Sequence, residues 1–303
     1  MTRSCPACGK GGRFAFRTRD YNRRLSDAAF DYFHCHDCDV FFIGTIPDDL
    51  GRFYPPEYYP LSTTTAELRR RAQAERYKLD IIRDFVPHGR FLEIGPGGGN
   101  LLLLAADAGF EVCAIDRDAR AAHSLRERLN ASITVSDDPV SAVVQLGGFN
   151  VIAIWHVIEH LPRPFELFDA CARALLPGGI LVVATPNPNA LQFRVFGGRW
   201  THVDAPRHLA IVSERALSRR ARSQALDKVF CTTNDRGGLF WNAFGWGESI
   251  RGLGPGTAIG ALAARAGYSF ARLARPLERR AMLGSAFTVV YRKAPSPESK
   301  DVS

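Results

Sequence analysis

Three groups of residues in this 303-residue sequence have the types and spacings that do chemistry. Cys5-x-x-Cys8 and Cys35-x-x-Cys38 set four thiols in two pairs, 26 residues apart. Each pair forms a tight turn aiming two thiolates at one ion, and two such knuckles complete a closed tetrahedral zinc shell. With no position left open, that zinc is structural. Gly95, Gly97 and Gly99 follow a G-x-G-x-G pattern, and Asp116 comes 21 residues after Gly95. Lastly, histidines gather with acids in two places: His156-x-x-Glu159-His160, and His202, Asp204 and His208.

Elements must position these groups. Between the cysteine pairs, Phe16, Tyr21, Phe30, Tyr32 and Phe33 have spacings that suit short strands, the layout of a zinc ribbon. A segment that small folds largely on the free energy of its metal. Phe91–Ile94 is a short apolar run consistent with a buried parallel strand, and 101–109 reads as a helix of good formers. The glycines between them let a backbone approach a ligand closely. Asp116 ends the next strand, 111–115, where a carboxylate accepts the ribose hydroxyls of an adenosine ligand. Strand, glycine turn, helix and distant acid together specify nucleotide binding far better than glycines alone. Glu93 lies two residues before Gly95. A carboxylate there opposes a pyrophosphate but suits the ammonium of an amino-acid moiety, which favours S-adenosylmethionine (SAM) over a dinucleotide.

Glu93-Ile94-Gly95-Pro96-Gly97-Gly98-Gly99 with Ala114-Ile115-Asp116 resembles motifs I and II of the class I SAM-dependent methyltransferases. The run from Phe149 through Trp155 to Leu161 is similar to that family's fourth strand and following loop, and Leu175–Val183 to its fifth strand. Thr185-Pro186-Asn187, Asp204–Leu209 and the Phe53–Tyr59 linker resemble a bacterial small-molecule subgroup that carries an N-terminal four-cysteine ribbon. The resemblance implies an α/β fold: a Rossmann-like seven-stranded sheet with a small N-terminal zinc ribbon. It implies that Gly95, Gly97 and Gly99 line the methionine and ribose, that Asp116 takes the ribose hydroxyls, and that Arg117 lies beside the adenine. Glu93 and Trp155 join the cofactor set. Asp137, after the third strand (133–136), falls near the adenine amino group in the family, although Asp137-Asp138-Pro139 equally suits a helix cap.

Methyl transfer from a sulfonium to a hydroxyl needs a base near the acceptor, and histidine suits that work. His156, Glu159 and His160, at i, i+3 and i+4, are expected on one side of a helical turn. Three readings stay open: His160 as general base, the trio as ligands of a divalent metal, or Glu159 and His160 shaping the pocket. The metal reading resembles ubiquinone-pathway O-methyltransferases, which have glutamate at the position of His156. His208 is a further candidate base, with Arg207-His208 expected to contact substrate or hold its loop.

Net charge is +8, but residues 1–60 are neutral and 87–190 net −4, while 191–303 hold 18 basic and 8 acidic side chains. Phosphate binding needs a continuous basic track, so a nucleic-acid partner is disfavoured. The domains read as a ribbon (1–46), a linker and helix (47–86), a methyltransferase domain (87–293) with an inserted region at about 240–284, and a polar tail (294–303). Residues 213–226 read as a helix with a solvated arginine face, and 227–233 and 285–291 as strands. The insertion mixes Ile259, Leu262, Phe270 and Leu273 with arginines. It packs on the core, covers a lipophilic acceptor, or lies on a membrane as an amphipathic helix pair. Met1–Lys10 lacks an apolar leader, so a cytoplasmic protein is expected. Cys113, Cys171 and Cys231 are expected to be structural. The favoured function is a SAM-dependent O-methyltransferase for a sugar, lipid-linked or secondary-metabolite hydroxyl. An RNA methyltransferase and a non-catalytic SAM-binding or zinc scaffold protein are the alternatives.

Overall fold

The computed structural model describes residues 2–55, 61–129, 131–252, 257–280 and 282–295, with the side chains of 257 and 258 excepted. Most of the polar tail and linker residues 56–60 lie outside this set. Strands β1 (Thr2–Ser4), β2 (Gly11–Arg19), β3 (Ala29–Cys35) and β4 (Val40–Ile43) come first, then α1 (Thr65–Ala72) and α2 (Arg76–Arg83). An alternating stretch follows: β5 (Arg90–Ile94), α3 (Asn100–Asp107), β6 (Glu111–Asp116), α4 (Ala119–Arg128), β7 (Ser132–Val135), α5 (Pro139–Leu146), β8 (Phe149–Trp155), α6 (Pro164–Ala174) and β9 (Leu175–Pro186). The chain ends with α7 (Leu191–Phe196), β10 (Ala210–Val212), α8 (Glu214–Ser223), β11 (Leu226–Thr232), α9 (Arg236–Arg251), α10 (Thr257–Arg280) and β12 (Ala286–Lys293).

The main sheet has seven strands in the order β11-β12-β9-β8-β5-β6-β7, and β12 alone runs against its neighbours. Its central strands read as continuous apolar runs because helices cover both faces. Ile152, Ile154, Leu181 and Val183 pack toward one side, Val151, Ala153, Ile180 and Val182 toward the other. The chain leaves β5 for β6 and β7, then returns to β8 on β5's other side. That reversal opens a crevice at the carboxyl ends of β5 and β8, where open α/β sheets bind ligands. Asp118 and Ser213 cap α4 and α8 with their side chains.

The N-terminal strands form a second, antiparallel sheet completed by β10, with Phe42 opposite Ala210 and Val40 opposite Val212. Tyr32 and Phe53 pack with Trp200, Val203 and Ile211 in one buried cluster. The ribbon is therefore built into the main domain through β10. Cys113 and Cys171 lie in the core of the main sheet, with Cys231 packed at its margin.

Of the readings for 258–283, the helix pair is not what forms within that segment: one helix, α10 (Thr257–Arg280), fills most of it and pairs with α9. Close approach sets this geometry: a Cβ on Gly267 would lie 2.6 Å from the Trp246 carbonyl oxygen. Buried Glu278 fastens α10 from the other end, accepting from Trp246 Nε1 at 2.9 Å. On α8 the expected solvated arginine face is interrupted, because Arg220 forms an ion pair with Asp169.

Candidate active site

The turn between β5 and α3 holds Gly95, Gly97 and Gly99 at φ of +66°, +52° and +78°. A Cβ on Gly95 would lie 2.6 Å from a Val157 methyl, so the β8 loop and the glycine turn touch. Asp116, at the end of β6, closes this turn by accepting from Gly97 N at 3.1 Å and from Asp118 N at 2.8 Å. A carboxylate has four lone-pair positions, so Asp116 can accept further bonds. Glu93 is buried, and its Oε2 has no hydrogen-bond partner. Burial pushes its carboxyl up to about 8, opposed by Lys78 and reinforced by Glu75 and Asp116. The Lys78 ammonium is held 2.6 Å from Glu75 and lies 5.3 Å from the Trp155 ring centre.

Of the sequence-predicted cofactor residues, Glu93, the three glycines and Asp116 come together at this edge. Trp155 closes β8 as part of the buried core beside it. Arg117 and Asp137 point outward, 3.6 Å apart with both side chains mostly exposed. The helix cap at α5 belongs to Asp138, which accepts from Val140 and Ser141 amides.

The β8 loop departs from the expected helical turn. His156 sits at φ +54°, and a short 3-10 turn covers only Ile158–His160. The trio therefore splits. His156 Nδ1 lies 3.1 Å from Glu159 Oε1, while Thr185 donates to Glu159 Oε2 at 3.0 Å. Glu159 is fully buried, and these partners with the neighbouring histidines overcome desolvation to hold its carboxyl down near about 2. An ionised carboxylate only accepts, so in this pair His156 donates through Nδ1.

His160 turns the other way. Its Nδ1 is 3.0 Å from both the Tyr54 hydroxyl and the Arg207 carbonyl. Desolvation and the nearby His208 lower its pKa to about 4, which keeps it neutral near pH 7. The metal set His156/Glu159/His160 is thus a correction: the donor atoms grouped within 4.8 Å are those of Glu159, His160 and His208. The 3-10 turn and the left-handed residue before it aim His156 elsewhere.

His208 Nδ1 contacts the His202 carbonyl at 2.9 Å, and its ring centre is 4.7 Å from that of His160. Arg207 holds the loop. Fully buried, it bonds Asp20 of the ribbon at 2.5 Å and Asp204 at 2.6 Å. Asn22 Nδ2 adds a bond to Asp204 at 2.7 Å. His156, His160, His202 and His208 line one cleft of about 650 Å³, with Arg23 from the ribbon and Trp241 from α9.

Sequence reasoning missed Asn22, Arg23 and Tyr54 as site residues, since only the fold brings the ribbon to this loop. The aromatic run Phe240, Trp241 and Phe244 is visible in the sequence, but nothing local says that it faces the cleft. Among the described residues, no helix is long and apolar enough to cross a membrane.

Comparison with known proteins agrees with this geometry. A curated ubiquinone biosynthesis O-methyltransferase of Xanthomonas campestris pv. campestris is 34% identical over 133 residues, covering 41% of this chain and 55% of that protein. One of the same name from Psychrobacter arcticus is 31% identical over 120 residues, covering 37% and 47% respectively. This chain spans about half the length of the curated relatives it matches. The fold matches a crystal structure of a SAM dependent methyltransferase from Archaeoglobus fulgidus at TM-score 0.51 and 18% identity, covering 74% of this chain and 94% of that one. A putative sarcosine dimethylglycine methyltransferase from Galdieria sulphuraria matches at TM-score 0.50 and 12% identity, covering 78% and 92%. A methyltransferase-domain family model matches residues 67–229, more than half of the chain. With that match and this seven-stranded sheet, the chain belongs to the methyltransferase-domain family, in its class I SAM-dependent form.

Proposed function

We propose that this protein transfers the methyl group of SAM to a hydroxyl of a small acceptor that carries an apolar or aromatic portion. The observation that carries this reading is the His156–Glu159 pair, set in the cleft beside the glycine turn. The residues at the carboxyl end of β5 fit the cofactor. Gly95, Gly97 and Gly99 let the backbone approach a ligand with no Cβ in the way, and Asp116 keeps lone pairs for hydroxyls. The unpartnered, buried Glu93 oxygen suits a cation, as an ammonium is. When bound, SAM supplies an electrophilic methyl on a sulfonium.

This chain's own residues supply the rest. His156 Nε2, half-buried in the cleft, takes the acceptor hydroxyl proton. Glu159, held by Thr185, fixes the imidazole's tautomer and steadies the imidazolium that forms, the role a carboxylate plays behind a catalytic histidine. His160 is held through Nδ1 at the Arg207 carbonyl and His208 through Nδ1 at the His202 carbonyl, which fixes both rings in the wall of the cleft. Trp241 and Phe244 give the cleft its apolar wall. The curated relatives named for ubiquinone biosynthesis support an O-methyl acceptor.

Zinc is part of the same proposal. The four cysteine sulfurs lie within 4.8 Å of one another, and those of Cys8 and Cys35 are 3.8 Å apart. A tetrahedral site with bonds of about 2.3 Å sets sulfurs about 3.8 Å apart. The donor set and its span fit zinc held by Cys5, Cys8, Cys35 and Cys38.

The test is methyl transfer from tritiated SAM into fractionated small-molecule extracts, with His156→Asn beside the parent. Loss of a general base lowers kcat about 10²- to 10⁴-fold, with SAM affinity unchanged. An unaltered kcat removes His156 from the reaction, and label found only in RNA overturns the small-molecule reading.

A further inference from the structure

Helix α10 carries its hydrophobic side chains on the wrong side for a helix that serves only its own domain. The positions turned toward α9 and the core are small or polar: Gly260, Ala264, Gly267, Ala271, Ala274 and Glu278 are all buried. The large apolar residues face solvent instead. Ile259 is 59% exposed, Leu262 70%, Leu273 77% and Leu277 53%, with Phe270 at 44%. Their spacings of three, eight, three and four residues place them along one stripe that runs the length of the helix. An amphipathic helix packed on a core reverses this arrangement.

Charge identifies what the stripe meets. Arg265, Arg272, Arg275, Arg279 and Arg280 are exposed on α10, and none has a carboxylate partner among the described residues. The helix's one acid, Glu278, is turned inward and fully buried. Its solvent side therefore holds arginines and apolar residues without a negative charge. A second copy laid on the same stripe brings arginine against arginine. An anionic lipid surface satisfies both features, because apolar residues sink to the acyl boundary while arginines reach the phosphates. A helix of 24 residues gives about 36 Å of such contact at 1.5 Å per residue.

We infer that α10 docks this protein in the plane of an anionic phospholipid membrane. The contact is peripheral, as no helix among the described residues spans a bilayer. Helix α9 joins this surface to the cleft: Trp246 and Gly247 pack against α10, while Trp241 and Phe244 line the cavity. The inference stands on α10 alone and does not require the methyl-transfer reading.

The experiment is co-sedimentation of the full chain with vesicles of phosphatidylcholine alone and of phosphatidylcholine with phosphatidylglycerol. Binding is expected on the mixed vesicles only, weakening as salt rises from 0.05 to about 0.5 M because screening shortens the attraction. Arg272→Glu/Arg275→Glu/Arg279→Glu is expected to lose about 100-fold or more in apparent affinity, at roughly fivefold for each lost arginine. Leu262→Glu/Leu273→Glu is expected to lose binding by at least about tenfold. Circular dichroism and SAM binding, unchanged in both exposed-site variants, show that the fold survives. Equal binding to neutral vesicles, or variants that pellet like the parent, overturns the inference. A dimer in sedimentation that Leu262→Glu/Leu273→Glu disperses, with no vesicle binding by the parent, overturns it in favour of a second copy.

Discussion

Two buried carboxylates on opposite banks of the crevice have opposite fates. Glu93, on the cofactor bank, is desolvated with one oxygen unpartnered, and its carboxyl is driven up to about 8. Glu159, on the acceptor bank, is equally buried, but His156 and Thr185 complete it and hold it near about 2. A buried charge is tolerated when paired and costly when alone. The difference separates a site that waits for a ligand from one finished by its own protein.

The banks also differ in construction. The cofactor bank belongs to the main sheet and its flanking helices. The acceptor bank rests on the ribbon: Asp20 ties Arg207, Tyr32 donates to the His208 carbonyl at 2.6 Å, and Asn22 bonds Asp204. Treating the protein with a chelator, to strip the zinc proposed for the cysteine cluster, is therefore the strongest way to break the comparison. It is expected to loosen the acceptor loop and lower kcat by about 10²-fold, since misplacing catalytic groups by an ångström costs on that order. SAM affinity, measured by calorimetry, is expected to change less than threefold. A chelated protein that loses both together shows that the banks are not separate.

Glu93→Gln acts on the other bank. Losing a charge-assisted contact is expected to weaken SAM binding about 10- to 100-fold, with the rate at saturating SAM changed far less. Because the parent's Glu93 is protonated below about 8, SAM binding at pH 7 is expected to release a proton, seen as a buffer-dependent heat. That release is expected to vanish in Glu93→Gln. The carboxyl also shapes apo stability. Its folded pKa lies above the unfolded value of about 4.3, so the unfolded chain ionises first and stability drains away as pH rises from there to about 8. The Gln variant is expected to flatten that part of the curve.

A further effect, on stability and not on the reaction, is on the acid side. Desolvation lowers His160 and His202 to about 4, so between about 6.5 and 4 the unfolded chain binds protons that the folded chain refuses. Stability is expected to fall with pH across that window, by up to about 1.4 kcal/mol per unit for each histidine. Thermal midpoints from pH 7 to 4 check this, and His202→Asn is expected to make the slope shallower.

Much of the cofactor bank was legible because its chemistry is local. Strand β5, the glycine turn, α3 and Asp116 lie within 27 residues, and period and spacing alone specify them. The acceptor bank was legible only in its residue types. Nothing in the sequence says that His156 takes a left-handed backbone, which pairs it with Glu159 and leaves His160 to Tyr54 and the Arg207 carbonyl. Nor does Arg207-His208 announce that Arg207 is sealed between Asp20 and Asp204, contacts 187 and 3 residues away in sequence. The insertion was readable as amphipathic, but its inward face of glycine and alanine became visible only once α9 was laid against it. Asp137 was a local ambiguity: its neighbour Asp138 caps α5, and Asp137 itself faces solvent beside Arg117.

The division between the banks is tested most directly by measuring SAM affinity and single-turnover methyl transfer at saturating SAM on both Glu93→Gln and His156→Asn. The account predicts a crossed result: Glu93→Gln loses affinity and keeps transfer, while His156→Asn keeps affinity and loses transfer. Equal losses of affinity in the two variants, or full transfer by His156→Asn, would contradict it.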